Sequence, residues 1–223
     1  MVAVPLAPQP RWERRLQQVV IVIARLLVAY LFLVNALWKL PPNFGCKGNF
    51  AFPTATADGR PDPNGSSGLC YWIGVESVYA DQRRPLLVAD LQYTKIGLSQ
   101  FSIDIRPLSR LNGAFIDGFV KPNIAWFGYL IVGTELTIGI LLLLGLFSRL
   151  GGLLALAIAG QLMVGLAGIP QPYEWEWGYI QMVLLSLLMV GLAPGRVFGL
   201  DALLRPRLAA STNPLARLLY MLT

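Results

Sequence analysis

The chain has 223 residues, 55% of them hydrophobic and 13% charged, against about 25% charged in an average soluble domain. That balance excludes a conventional soluble core. The net charge is +6 and histidine is absent, which removes bis-histidine haem, His-ligated copper or iron and the usual zinc sites, so no metal site is expected.

Residues 1–18 form an N-terminal arm, Pro-rich up to residue 10 and then basic through Arg11, Arg14 and Arg15. The first apolar run, residues 19–40, is long enough to span a bilayer, which takes about 20 residues. No small-residue cleavage site follows it, so it reads as an uncleaved span rather than a signal peptide. It carries Arg25, Asn35 and Lys39 and stops before Pro41-Pro42, because proline cannot continue a helix.

Residues 41–122 separate this span from the next. Their first part, to residue 70, reads as loop, rich in Gly, Pro, Asn and Asp. Short apolar runs follow at 85–89 and 101–105. In the second, Phe101, Ile103 and Ile105 alternate with Ser102 and Asp104, as in a strand or sheet edge. Leu111, Phe115 and Phe119, four apart, mark one face of an amphipathic helix near 109–121 that Pro122 should end. Phe115 and Phe119 either pack on the bundle or wall a lipid- or quinone-sized pocket.

Cys46 and Cys70 are the two cysteines. In an oxidising compartment they would form a disulfide closing a loop of about 25 residues, worth on the order of 3 kcal/mol. The competing reading, a redox-active or partner-linked pair, lacks the C-x-x-C spacing.

Residues 123–193 hold three further apolar runs, at 123–147, 150–168 and 178–193. The first two are joined so tightly that they must form an antiparallel hairpin. Gly151, Gly152, Gly160, Gly165 and Gly168 would let neighbouring helices approach closely. The loop before the last run carries an aromatic belt, Tyr173, Trp175, Trp177 and Tyr179. Its acids, Glu174 and Glu176, are two apart, so on a helix they diverge and do not form an acid/base pair. Residues 194–223 are a basic tail ending in a short apolar stretch.

Arg11, Arg14, Arg15, Arg149, Arg196, Arg205, Arg207 and Arg217 fall on one side of the spans. The positive-inside rule therefore places both termini in the cytoplasm. The expectation is an all-α, multi-pass integral membrane protein, a four-transmembrane-helix bundle with a long extracytoplasmic segment between helices 1 and 2. The basic ends serve topology and lipid headgroups, not nucleic acid.

Glu135 lies in the middle of the second span, where an ionised carboxylate is costly and tends to be paired, neutral or beside water. Arg25, on the first span, is separated from it by an axial gap of roughly 8 Å, within an arginine's reach. Three readings stand open for such a pair: a static brace fixing helix register, a protonatable carboxylate beside a quinone or proton path, or a contact to a partner subunit. Asn35 and Lys39 share a face near the outer mouth. With Gln161, Gln181 and Ser186 they either line a polar cavity or make helix–helix hydrogen bonds. No phosphate-binding loop, dinucleotide fingerprint or nucleophile elbow is present.

Two stretches carry a family resemblance. Gly133-Thr134-Glu135-Leu136-Thr137-Ile138-Gly139 with Leu144-Gly145-Leu146-Phe147-Ser148-Arg149 is the first; Gly191-Leu192-Ala193-Pro194-Gly195-Arg196-Val197-Phe198-Gly199-Leu200-Asp201 is the second. They resemble the DoxX superfamily, most closely its DoxD branch, the small subunit of thiosulfate:quinone oxidoreductase. Arg25 and Lys39 match that family's first span, and 115–122 its amphipathic lead-in. Residues 41–110 exceed its minimal members. The resemblance implies a subunit in a bacterial or archaeal cytoplasmic membrane, working among membrane lipids and other subunits of an electron-transfer complex. Quinone is the cofactor it implies, though no identifiable motif binds one. Glu135 and Arg25 are then the candidate catalytic residues, with Phe115, Phe119, Asn35 and Lys39 as pocket residues. A different class is a non-catalytic accessory subunit of a larger respiratory or photosynthetic complex. A small transporter would need an inverted repeat that the sequence does not show.

Overall fold

The first apolar run becomes α1 (Arg11–Leu37), which takes in the basic stretch before it. In this computed structural model, residues 10–62, 65–90, 100–169 and 176–223 are described. The expected arm at residues 1–9, the belt residues Tyr173 and Trp175, and the acid Glu174 lie outside them.

The connection after α1 is more ordered than its turn-rich composition suggests. β1 (Thr54–Ala55) and β2 (Pro61–Asp62) form a minimal antiparallel ladder. α2 (Gly68–Val78) follows, a helix where only apolar runs were expected. The Cys46–Cys70 disulfide ties its first turn to the chain leaving α1. β3 (Pro85–Asp90) pairs antiparallel with β4 (Gln100–Asp104), the segment whose alternation marks a strand. The architecture is mainly helical with two small ladders, a correction to the all-α expectation.

α3 (Arg106–Phe115) runs through a π-helical turn (Ile116–Val120) and a 3-10 turn (Lys121–Asn123) into α4 (Ile124–Leu144). The expected break at Pro122 does not occur. Proline lacks an N–H, and the change from a wide to a tight turn places it near the start of a turn, where that donor is dispensable. α5 (Ser148–Leu166) and α6 (Glu176–Leu192) complete the long helices. α7 (Leu200–Ala209) and α8 (Pro214–Leu222) close the chain. α8 exposes Leu215, Leu218 and Met221.

Three helical stretches are long and apolar enough to cross a membrane: Arg11–Leu37, Arg106–Leu144 and Ser148–Leu166. Gly178–Leu192 is apolar but shorter.

α1 packs on α4, α5 on α6, and α4 on α5. Glycines set the separations. A Cβ at Gly152 would lie 2.9 Å from Met189 Cβ and 2.9 Å from the Val190 nitrogen, so α5 and α6 meet backbone to backbone. One at Gly139 would strike Leu33 of α1. Apolar helices in lipid associate through such packing rather than through hydrophobic transfer. Val28, Ala29, Phe32, Ile138, Leu142, Ala155 and Met189 form one core among the long helices. Phe44, Leu69, Ile73, Ile116, Val120 and Val132 form a second beneath α2.

Candidate functional site

The two cores do not meet in a continuous packed interior. A cavity of about 510 Å³ reaches both. Its walls come from the C-terminal half of α1, the α3–α4 helix, the second half of α5 and the start of α6, and α2 lies over it. Leu69, Trp72, Ile73 and Glu76 line it from α2. Their spacing of three and four residues is one helical face.

Glu135 lines the cavity from α4 and is 3% exposed. Its partner is Lys39, whose Nζ donates to Oε1 in a buried ion pair. The same ammonium sits 4.8 Å from the centre of the Trp38 ring. Glu135 Oε2 is buried and has no hydrogen-bond partner. An unsatisfied buried carboxylate oxygen is costly, and this one belongs to a residue on the cavity wall.

The expected Arg25–Glu135 pair does not form. Arg25 donates to the carbonyls of Pro194 (3.3 Å), Val197 (3.2 Å) and Phe198 (3.2 Å). It lies against Gly145, at the far end of α4. Ten residues separate Gly145 from Glu135, about 15 Å of helix and roughly twice the gap inferred from span lengths. The antiparallel register of α1 and α4 is what decides the partner. It brings Lys39, not Arg25, to Glu135.

Arg25 belongs to a corner at the opposite end of the bundle. Asp201, fully buried, accepts from Phe147 N (2.6 Å), Ser148 N (2.9 Å) and Ser148 Oγ (2.7 Å). It caps α5 from a distant segment, doing what an N-cap side chain does locally. Ser148 Oγ accepts in turn from Gly195 N at 3.0 Å. Gly145 has φ +60°, and a Cβ there would meet Gly199 at 2.8 Å. The two sequence stretches that carry the family resemblance thus meet at a structural corner.

A second carboxylate, missed in the sequence, enters the cavity from α2. Glu76 is 4% exposed. Its Oε2 accepts from Asn112 Nδ2 (2.8 Å) and Gln161 Nε2 (2.7 Å). Burial pushes its carboxyl up to about 7, against the two amide hydrogen bonds and the nearby Arg84 charge. Arg84 is fully buried. It donates to the Gly165 carbonyl and to Ser109 Oγ (3.3 Å), and burial lowers it to about 10. The signal for Glu76 was present: a lone acid on the face set by Leu69, Trp72 and Ile73, inside an apolar stretch. Arg84 follows an identical residue, Arg83, and carries no such signal.

Asn35 also lines the cavity, while its Nδ2 donates to Leu31 O at 2.8 Å within α1. Phe115 lines it and is 50% exposed, so it stands on the rim with the exposed Gln161. Phe119 is not among the lining residues. It packs on Phe115 (ring centres 5.4 Å apart), Trp126 and Phe127. The row Leu111, Phe115, Phe119 faces outward, while Asn112, Ile116 and Val120 face in. Four-residue spacing shows which residues share a face, not which face turns inward. Gln181 is exposed and outside the lining, and Ser186 Oγ is spent on Met182 O at 2.7 Å.

No curated protein and no solved structure matches the chain. A family model described as "TQO small subunit DoxD" matches residues 102–222. That stretch supplies α3 to α8, Glu135 and Asp201, while Lys39, Glu76 and the disulfide lie outside it. The match covers just over half of the chain, and the apolar helices agree with it in placing the protein in a membrane: the chain belongs to the DoxD family.

Proposed function

We propose that the cavity is a quinone site and that the protein is the membrane subunit through which electrons from a reduced sulfur compound such as thiosulfate reach quinone. The observation that carries this reading is the buried Lys39–Glu135 pair facing a largely apolar cavity with one carboxylate oxygen unpartnered. A quinone carbonyl needs a hydrogen-bond donor, and an ammonium has three protons, of which Glu135 engages one. A quinol hydroxyl needs an acceptor, and Glu135 Oε2 is one. The pair can therefore hold either redox state. The size suits a ring, since small-molecule sites run from about 300 to about 1,000 Å³. Phe115, Phe127, Trp38 and Trp72 supply aromatic walls.

The balance is two electrons from the sulfur donor, oxidised on a partner subunit, and two protons, converting quinone to quinol. The chain supplies no metal-binding histidine, so the electrons arrive from that partner's centre. In this reading α1, α4, α5 and α6 each cross a bacterial or archaeal cytoplasmic membrane, and both termini face the cytoplasm. α2 and the two ladders lie on the outer side.

The test is titration of the purified protein in lipid nanodiscs with decylubiquinone, read by quenching of Trp38 and Trp72. The double substitution Lys39→Met with Glu135→Leu removes both charges and leaves neither unpaired. Quinone affinity should fall more than about tenfold, the weight of one or two lost charged hydrogen bonds. Wild-type affinity in that variant sinks the proposal.

A further inference from the structure

Glu76 is not used by the chemistry just described, and it lies outside the family match. It is a buried carboxyl on the cavity wall, contributed by the segment ahead of the family match. Among the described residues, the groups facing it come from several elements. Asn112 on α3 and Gln161 on α5 both donate to Oε2. Arg84, before β3, is the cation whose charge acts on it; its Nη2 donates to the Gly165 and Val164 carbonyls and Ser109, while its buried Nε and Nη1 have no hydrogen-bond partner among the described residues. Tyr79 and Tyr179 act on Arg84. Lys39, which lines the cavity, pairs with Glu135. No hydrogen-bonded ion pair to Glu76 stands among the described residues.

The two carboxyls are therefore unlike. Glu135 has an ammonium bound directly to it. Glu76 has neutral amide donors at one oxygen and, in Arg84, a nearby charge that makes no hydrogen bond to it. Gly165 fixes its place: a Cβ there would overlap the Glu76 carboxyl, so α2 and α5 close on each other through this side chain. The exposed Gln161 connects Glu76 to the rim.

On the reading of the cavity as a quinone site, we propose that Glu76 is its proton-exchanging group, donating a proton to the bound quinone and recovering it from the side of α2. The step balances simply. As two electrons arrive from the partner's redox centre, the Glu76 O–H bond breaks and an O–H bond forms on a quinone oxygen. The carboxylate left behind takes a proton from water at the rim, and a second transfer by the same route completes the quinol. Glu135 stays paired with Lys39 and holds the ring.

The test compares wild type with Glu76→Gln in nanodiscs, again with decylubiquinone and tryptophan quenching, across about pH 5 to about pH 9. A protonated Glu76 donates to the quinone and an ionised one repels it, so wild-type affinity should fall toward about tenfold per pH unit on the alkaline side. Glu76→Gln, an amide donor at every pH, should bind with a flat profile. The same alkaline loss in Glu76→Gln overturns the Glu76 assignment and leaves the quinone site standing. No quenching in either protein overturns both. A second measurement needs no quinone. Infrared difference spectra on raising the pH should show a buried carboxylic-acid band disappearing in wild type and in the Lys39→Met, Glu135→Leu protein, and absent from Glu76→Gln. A band that survives in Glu76→Gln and vanishes with Glu135 places the proton on Glu135 and overturns the proposal.

Discussion

A carboxyl held up to about 7 by burial makes stability depend on pH in a direction opposite to that of a salt-bridged acid. Between its ordinary value of 4.5 and about 7, the native state keeps the Glu76 proton and the unfolded chain releases it. The unfolded state then binds fewer protons, so stability falls as pH rises. The contribution is fully present below pH 4.5 and is lost once pH passes 7. At about 1.4 kcal/mol per pH unit the loss is about 3 kcal/mol. Glu76→Gln has no proton to lose. Its neighbours Asn112 and Gln161 keep an acceptor at the amide oxygen, so its stability curve lacks this fall, whatever its constant offset. The assay is the thermal midpoint of both proteins in detergent over the same pH series. The gap between the curves should change by roughly 10 °C from acid to neutral, by the scaling of soluble domains of this size. Other titrating groups are common to both proteins and cancel. Parallel curves would refute the reasoning, because they would mean that the buried carboxyl ionises at its ordinary value.

Three further outcomes follow from the packing. Lys39→Met alone strands a buried carboxylate and should cost about 3–5 kcal/mol, while adding Glu135→Leu should restore most of it; denaturant unfolding of the two variants measures the difference, and equal losses would contradict a direct pair. Gly152→Leu must push α5 from α6 and should destabilise by about 1–3 kcal/mol, whereas Gly160→Leu, with open space at its Cβ, should stay within about 0.5 kcal/mol; thermal melts rank them, and equal effects would discredit the close approach. Replacing Cys46 and Cys70 by serine should cost on the order of 3 kcal/mol. Amide exchange should then rise in α2 and not in α5 or α6, and uniform acceleration would mean that α2 is no separable cap.

The long helices were readable because their information is local. An apolar run of span length is a helix wherever it lies, and α5 and α6 coincide with such runs. The 101–105 strand was readable from alternation alone. Partner choice was not. Arg25 and Lys39 are both cations on α1, and only the register of α1 against α4 tells which reaches Glu135. Span lengths could not fix that register, since α1 starts at Arg11, well before its apolar run. α2 was hidden for another reason. The Gly and Pro residues around it mark the turns on either side, and its own apolar face looks like a fragment of buried loop until its partner surface is known. Pro122 misled because a breaker rule written for α-helices does not apply where the helix changes type.

The division between matched and unmatched sequence also separates the parts of the site. Residues 102–222 bring Glu135, the inward row of α3 and the Asp201 corner, but not the groups that make the cavity chemically distinctive. Lys39 and Glu76 come from the chain ahead of that stretch. Glu135 without Lys39 would be a lone buried acid, and the α3–α5 surface without α2 would leave Asn112 and Gln161 no carboxyl to hold. One disulfide joins the two contributions: Cys46 follows Lys39 by seven residues and Cys70 precedes Glu76 by six. The covalent link lies between the two charged groups in sequence and ties their flanking segments together. A change in α2 should therefore be felt at Glu76, while the Lys39–Glu135 pair, anchored by α1 and α4, persists.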